Sequence, residues 1–150
     1  MSQIKKVTCH VVSAPVQKPF TSSRGWIYKT RGSCIVEIET NDGIVGWGEC
    51  YGPSTVAKAF IDTQFGPRVI GRDPFDVEVI WEDLYNRIKD YGTTGMAISA
   101  ISGIDIALWD IIGKSCGKPI HKLIGGSYRD EVTAYATGLY FIDMDRLIEE

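Results

Sequence analysis

Histidines and clustered cations are scarce in this chain. Its two histidines, His10 and His121, stand far apart without a His or Glu partner at helical spacing, so packing or surface roles are expected of them rather than metal ligation. No run of Lys and Arg occurs, and the formal net charge is −3. A nucleic-acid partner, which needs many cations to displace phosphate counterions, is therefore excluded. The four cysteines, Cys9, Cys34, Cys50 and Cys116, form no Cys-x-x-Cys pair and fall mostly inside apolar patterns. They read as structural thiols rather than as a disulfide or zinc site. No apolar stretch approaches the ~20 residues that span a bilayer, and residues 1–6 run into an alternating segment rather than a signal-peptide core. No membrane partner is expected, and the cytoplasm is the default compartment. Internal repeats and low-complexity segments are also missing.

What is present is a chain of 150 residues, 44% hydrophobic and 23% charged, enough for one well-buried core. Ile4 to Val12 alternates, with Val7, Cys9 and Val11 on one face, which is the period of a half-buried strand. From Ser13 to Arg31 the rhythm fails, and prolines, serines and a glycine punctuate an expected long loop that carries Phe20, Arg24, Trp26 and Tyr28. Ser33 to Thr40 and Ile44 to Tyr51 read as strands joined through Asn41-Asp42-Gly43 in a tight antiparallel hairpin. Ser54 is expected to cap a helix that Gly66-Pro67 stops, and Asp73-Pro74 to start another whose buried stripe is Val77, Trp81, Leu84 and Ile88. A third helix, about Met96 to Ile112, is apolar nearly all round and sets Ala100, Gly103 and Ala107 on one face, where another backbone can approach. Gly113 is expected to end it, before a helical turn over Pro119 to Leu123 and a Gly125-Gly126 stop. Glu131 to Thr137 alternates again as a strand, with a helix cap at Asp143 or Asp145.

A strand followed by Gly46-x-Gly48 and Gly52 superficially matches a dinucleotide-binding turn. The spacing is off by one residue, and the strand enters through an antiparallel hairpin where that fold needs a parallel βαβ unit.

Two stretches carry a more specific signal. Gly46-Trp47-Gly48-Glu49 closes the third strand. The run Ser102-Gly103-Ile104-Asp105-Ile106-Ala107-Leu108-Trp109-Asp110 leads on to Gly113-Lys114, Gly117-Lys118-Pro119 and Leu123-Ile124-Gly125-Gly126. With these motifs the chain resembles the amino-terminal capping part of an enolase-superfamily enzyme of the mandelate racemase/muconate lactonizing type. The resemblance implies an α+β capping domain over residues 1–126, a three-stranded antiparallel meander followed by a helical bundle. Residues 127–150 would then begin a (β/α) TIM-type barrel, with Val132-Thr133-Ala134-Tyr135 resembling its first strand.

In that family a proton beside a carboxylate is abstracted, a bound Mg²⁺ stabilises the enolate-like intermediate, and bases and metal ligands come from later barrel strands. The resemblance thus implies Mg²⁺ as cofactor, bound outside this sequence, with no catalytic residue and no metal ligand within 1–150. It also implies that the cap recognises substrate through loops over the barrel mouth. The matching segments are Thr21 to Tyr28 and Cys50 to Ser54. Arg24 offers a planar fork of donors to a carboxylate or to hydroxyls, Trp26 and Tyr51 can form a wall, and Tyr140 would stand at the carboxyl-terminal end of the first barrel strand. This polar set suits a hydroxylated acid, so a sugar-acid dehydratase is favoured. A racemase, epimerase or cycloisomerase of the same superfamily is the alternative. A non-catalytic interaction module is another, if the chain natively ends at Glu150. A homo-oligomer is expected. Asp105 and Asp110 read as carboxylates that satisfy nearby donors, Glu49 as a residue that holds a loop or faces a ligand, and Trp47, Trp81 and Trp109 as core or interface aromatics.

Overall fold

The computed structural model describes residues 2–22, 24–90, 92–135, 145 and 148. Strands β1 (Ile4–Thr21), β2 (Ile27–Thr40) and β3 (Val45–Cys50) form one sheet in the order β1-β2-β3. β2 and β3 are antiparallel, with Cys34 opposite Cys50 and Glu39 opposite Val45. Gly43 takes a φ of 87° in the connecting turn, as the Asn-Asp-Gly sequence requires. Thr40, buried at that corner, accepts from the Ile44 N–H at 3.0 Å and donates to the Asp42 carboxylate at 2.5 Å. That hydroxyl is the main reason the Asp42 carboxyl lies below its usual range.

The expected loop from Ser13 to Arg31 is instead a two-stranded ribbon, because β1 runs on to Thr21 and β2 begins at Ile27. No described residue within it is buried. Both faces meet water, so the side chains carry no alternation while the backbones still pair. In β1 the buried residues are Ile4 and Cys9, and Val11 is 43% exposed rather than inward. The odd separation of Ile4 and Cys9 moves the strand from one facing parity to the other.

The helices are α1 (Ser54–Phe60), a π-helical turn (Ile61–Phe65), α2 (Gly66–Val69), α3 (Val77–Arg87), α4 (Met96–Cys116) and α5 (Ile120–Leu123). Pro53 rather than Ser54 occupies the cap position of α1. Gly66-Pro67 does not stop the helical path. It opens α2, where a first-turn proline needs no N–H. Asp73 accepts from the Phe75 N–H at 2.9 Å and forms a turn, so α3 starts only after Asp76. The buried stripe of α3 is Val77, Ile80 and Leu84, continued by Ile88, while Trp81 is 39% exposed and stacks on Tyr85 at 4.9 Å. A spacing of three then four from Val77 follows the 3.6 period better than the fourfold step to Trp81.

Gly113 lies inside α4, and Gly117, at φ 61°, ends it. A Cβ on Gly113 would stand 3.2 Å from the Lys118 carbonyl oxygen, so Gly113 serves the close return of the chain rather than a stop. α4 is also 21 residues long and apolar enough, by length and composition, to cross a membrane, contrary to expectation. Its apolarity has a local cause: Ala100, Ile104, Ala107, Leu108 and Ile111 are buried in the core with Val36, Ile38 and Phe65. Each large aliphatic or aromatic side chain so buried contributes about 1.5–3 kcal/mol.

The chain divides into two compact units, Met1–Val12 with Gly32–Gly126, and Ser13–Arg31 with Ser127–Glu150. Of the strand expected over 131–137, residues 131–135 are exposed and form no ladder. A barrel strand takes hydrogen bonds from strands on both sides, and among the described residues none pairs with this segment. Asp145 and Ile148 are helical.

Candidate functional site

β3 points Gly46, Gly48 and Cys50 inward and Trp47 and Glu49 outward. Beyond Cys50 the chain turns through Gly52, at φ 99°. The Ser99 hydroxyl of α4 donates to the Tyr51 carbonyl at 2.5 Å, which ties this turn to the helix. The Tyr51 ring is left 91% exposed. Between turn and helix lies a cleft of about 520 Å³, with Glu49 and Tyr51 on one wall and Ile98, Ser99, Ser102 and Ile106 on the other. Ile98, Ser102 and Ile106 recur four apart and so share one face of α4. Ser33 donates to Glu49 Oε1 at 2.5 Å, leaving the second carboxylate oxygen as an acceptor. An acceptor, two serine hydroxyls, an exposed phenol and two aliphatic side chains make a lining suited to a hydroxylated small molecule.

Of the residues the sequence singled out for substrate, Tyr51 lines this cleft; Glu49, read first as a loop-holding carboxylate, and Ser99 and Ser102, not singled out, line it too. The signal was there: both are polar residues in an otherwise apolar helix, and Ser102 lies on the line of Ile98 and Ile106.

In the other unit, Arg24 and Trp26 share the ribbon tip. The turn is closed by Gly25 N–H to the Ser22 carbonyl and Ser22 N–H to the Trp26 carbonyl, both 2.9 Å. The Ser22 hydroxyl also accepts from the Trp26 N–H at 3.3 Å. Arg24 is exposed, and Trp26 is 70% exposed. The turn is thus hydrogen-bonded within itself, and both side chains are exposed. Tyr140 lies outside the described residues.

The two aspartates of the long motif behave differently. Asp110 Oδ2 accepts from the Trp47 N–H at 2.9 Å and from Lys114 at 2.6 Å, joining α4 to β3 as expected. Asp105 does not follow that expectation. It faces α3, where burial first and the Glu78 charge second push its carboxyl above the usual range. Trp109 packs against the core edge, whereas Trp47 lies 6.0 Å from the His10 ring on the open face of the sheet. Nε2 of His10 sits 2.6 Å from Glu37.

Cys9, Cys34 and Cys50 are buried free thiols, and Cys116 is an exposed one. Burial pushes Cys9 and Cys50 up to about 12. Mg²⁺ needs a near-octahedral set of oxygen ligands with carboxylates among them. Among the described residues no three of His, Cys, Asp or Glu converge to hold a metal ion. The described residues do not by themselves fit the ion.

Residues 5–125 match the family model of the mandelate racemase/muconate lactonizing enzyme N-terminal domain. A D-galactarolactone cycloisomerase of Agrobacterium fabrum is 44% identical over 146 residues, 97% of this chain and 38% of the relative. An arabinonate dehydratase of Saccharolobus solfataricus is 44% identical over 119 residues, 76% of this chain and 32% of the relative. The crystal structure of an enolase-superfamily member from Polaromonas sp. JS666 is 33% identical, with a TM-score of 0.87 over 98% of this chain and 40% of that one. The chain therefore spans well under half the length of the proteins it matches. With the three-stranded sheet, the backbone-to-backbone packing of α4 on β3 and the family match over 5–125, the chain belongs to the mandelate racemase/muconate lactonizing enzyme family, as its N-terminal domain.

Proposed function

We propose that this chain is the substrate-capping part of a Mg²⁺-dependent enolase-superfamily enzyme that abstracts the proton alpha to the carboxylate of a sugar acid, and that the reaction is a dehydration. The observation that carries the reading is the cleft between Glu49-Tyr51 and α4, whose acceptor and hydroxyl groups match a polyhydroxylated ligand. A relative named arabinonate dehydratase supports the substrate class. In this reading Tyr51, Arg24, Trp26 and Tyr140 are the residues of this chain that bind substrate. Acid, base and metal ligands belong to the barrel.

One observation favours a second reading. The cycloisomerase relative matches 97% of this chain, and the dehydratase relative 76%. A cycloisomerase acting on a sugar-acid lactone uses the same proton abstraction without net loss of water.

The experiment is an assay of the intact enzyme, cap and barrel together, on a panel of sugar acids and their lactones with and without Mg²⁺. A 2-keto acid formed from an open-chain acid, dependent on Mg²⁺, is expected. Conversion of lactones alone, with no 2-keto acid, would replace dehydration by cycloisomerisation. Turnover that survives complete removal of divalent ions would overturn both.

A further inference from the structure

No described residue from Ser13 to Arg31 is buried, and a two-stranded hairpin draws little stability from its own strands. The ribbon tip nevertheless carries the two side chains assigned above to substrate. Next to that tip, the rings of Phe20 on β1 and Tyr28 on β2 stack across the strands at 4.9 Å, 21° from parallel. The guanidinium carbon of Arg31 lies 5.1 Å from the Phe20 centroid and 5.2 Å from that of Tyr28. Both distances fall inside the ~6 Å reach of a cation–π contact. A planar guanidinium can lie over two rings at once, and its weak hydration makes that placement cheap. Phe20 and Tyr28 are among the few half-buried residues of the ribbon. The cluster therefore packs the two strands against each other beside the tip.

We propose that Arg31 is a positioning residue: it clamps the Phe20–Tyr28 stack, holds the ribbon in one conformation, and so presents Arg24 and Trp26 to substrate in a fixed orientation. The last clause rests on the substrate role proposed for the tip. The clamp itself does not, and the two are tested separately.

Amide hydrogen exchange of Ser22, Gly25 and Trp26, each hydrogen-bonded in the turn, reads the clamp directly in this chain. Arg31→Gln removes the cation, and a cation–π contact at an exposed site is worth roughly a two- to fivefold change in the opening equilibrium. Exchange at the three amides is expected to accelerate by that factor, with α4 amides unchanged. Arg31→Lys should restore part of the protection, and Phe20→Ala should exceed Arg31→Gln by removing the stack as well. Unchanged exchange in Arg31→Gln overturns the clamp, whether or not Phe20→Ala accelerates it. In the intact enzyme, kcat and KM for Arg31→Gln are then set beside those for Arg24→Ala. Both impaired is the expected result. Arg24→Ala impaired with Arg31→Gln at wild-type values overturns positioning by Arg31. Wild-type values in both overturn the substrate role of the tip and, with it, the final clause, while the exchange data still decide the clamp.

Discussion

Gly48 of β3 and Gly103 of α4 meet backbone to backbone. A Cβ built on Gly48 would collide with the Gly103 carbonyl oxygen and stand 2.9 Å from the Ala107 nitrogen. One on Gly103 would strike Cys50 Sγ and come 2.9 Å from Val36 Cγ2. Neither neighbour of Gly48 is a flexible side-chain end, so a substitution there must part helix from sheet. Gly48→Ala and Gly103→Leu are each expected to cost at least about 1–3 kcal/mol, the usual penalty for overpacking. Denaturant melts of the chain check this, and an unchanged midpoint for both would show that the contact is not tight.

The helix side of that contact was legible in the sequence, because small residues at i, i+3 and i+7 in an apolar helix have few other uses; its partner on β3 was not. Capping and stopping residues were less legible. Pro53 displaced Ser54 at the start of α1, and Gly113 was kept inside α4 by packing against the chain beyond Gly117. The ribbon was illegible for a physical reason. Alternation records which face is buried, and the described residues of 13–31 bury neither, so paired strands look like a loop. Of the cleft lining, Tyr51 was singled out as an aromatic after a strand end, whereas Ser99 and Ser102 required knowing which face of α4 meets the turn.

Asp110 accepts the Trp47 N–H and pairs with Lys114. Asp110→Ala strands that N–H at the α4–β3 joint, which typically costs 1–3 kcal/mol when buried, and about 1 kcal/mol is expected here because the site is partly exposed. Asp110→Asn keeps an acceptor oxygen and should lose less. For a chain of this size the alanine variant should melt about 2–4 °C lower. Equal Tm for wild type and Asp110→Ala would remove the joint from the stability of the domain.

Two aspartates should titrate with opposite sign. Asp105 is raised by burial and by Glu78, so the folded state holds its proton to higher pH than the unfolded chain does. Its contribution therefore falls as pH rises from the ordinary carboxylate value through the folded one, and the ionised carboxylate is a liability at pH 7. Asp83 is lowered, chiefly by its hydrogen bond with Arg68, so its contribution is present above the ordinary value and lost as pH falls through the folded one. Asp105→Asn should raise Tm at pH 7 and Asp83→Asn should lower it, with both differences shrinking in acid below the carboxylate range. Melting curves across pH for the two variants check the signs. Shifts of the same sign at pH 7 would mean that one assignment is wrong.

Thiol reactivity offers a direct test of the core. Cys9, Cys34 and Cys50 are buried, and Cys9 and Cys50 are pushed up to about 12, so at pH 8 thiolate is scarce as well as shielded. A disulfide-exchange reagent should titrate one thiol, Cys116, in the native chain and all four in denaturant. Cys116→Ser should leave the native chain unreactive on the same timescale. Rapid native labelling of a second thiol would show that the sheet opens against α4 far more readily than the packing around Gly103 implies.

The last prediction concerns Arg24, whose side chain is exposed at the ribbon tip. Removing it should hardly touch stability, because isolated exposed charges contribute little. In the intact enzyme a charge-assisted contact from this guanidinium to a bound carboxylate would be worth roughly 1.5–3 kcal/mol, or about ten- to a hundredfold in kcat/KM. Arg24→Ala is therefore expected to lower kcat/KM on sugar acids by that factor while Tm stays within about a degree of wild type. Which parameter moves tells how the contact works. A ribbon that only binds substrate raises KM alone, whereas one that must also close over it changes kcat and KM together. Arg24→Lys keeps a point charge but loses the planar fork, so partial recovery would mark charge as the main contribution and none would mark the bidentate geometry. Steady-state kinetics of the two variants separate these cases, and wild-type kcat/KM for Arg24→Ala on every active substrate would take Arg24 out of the site.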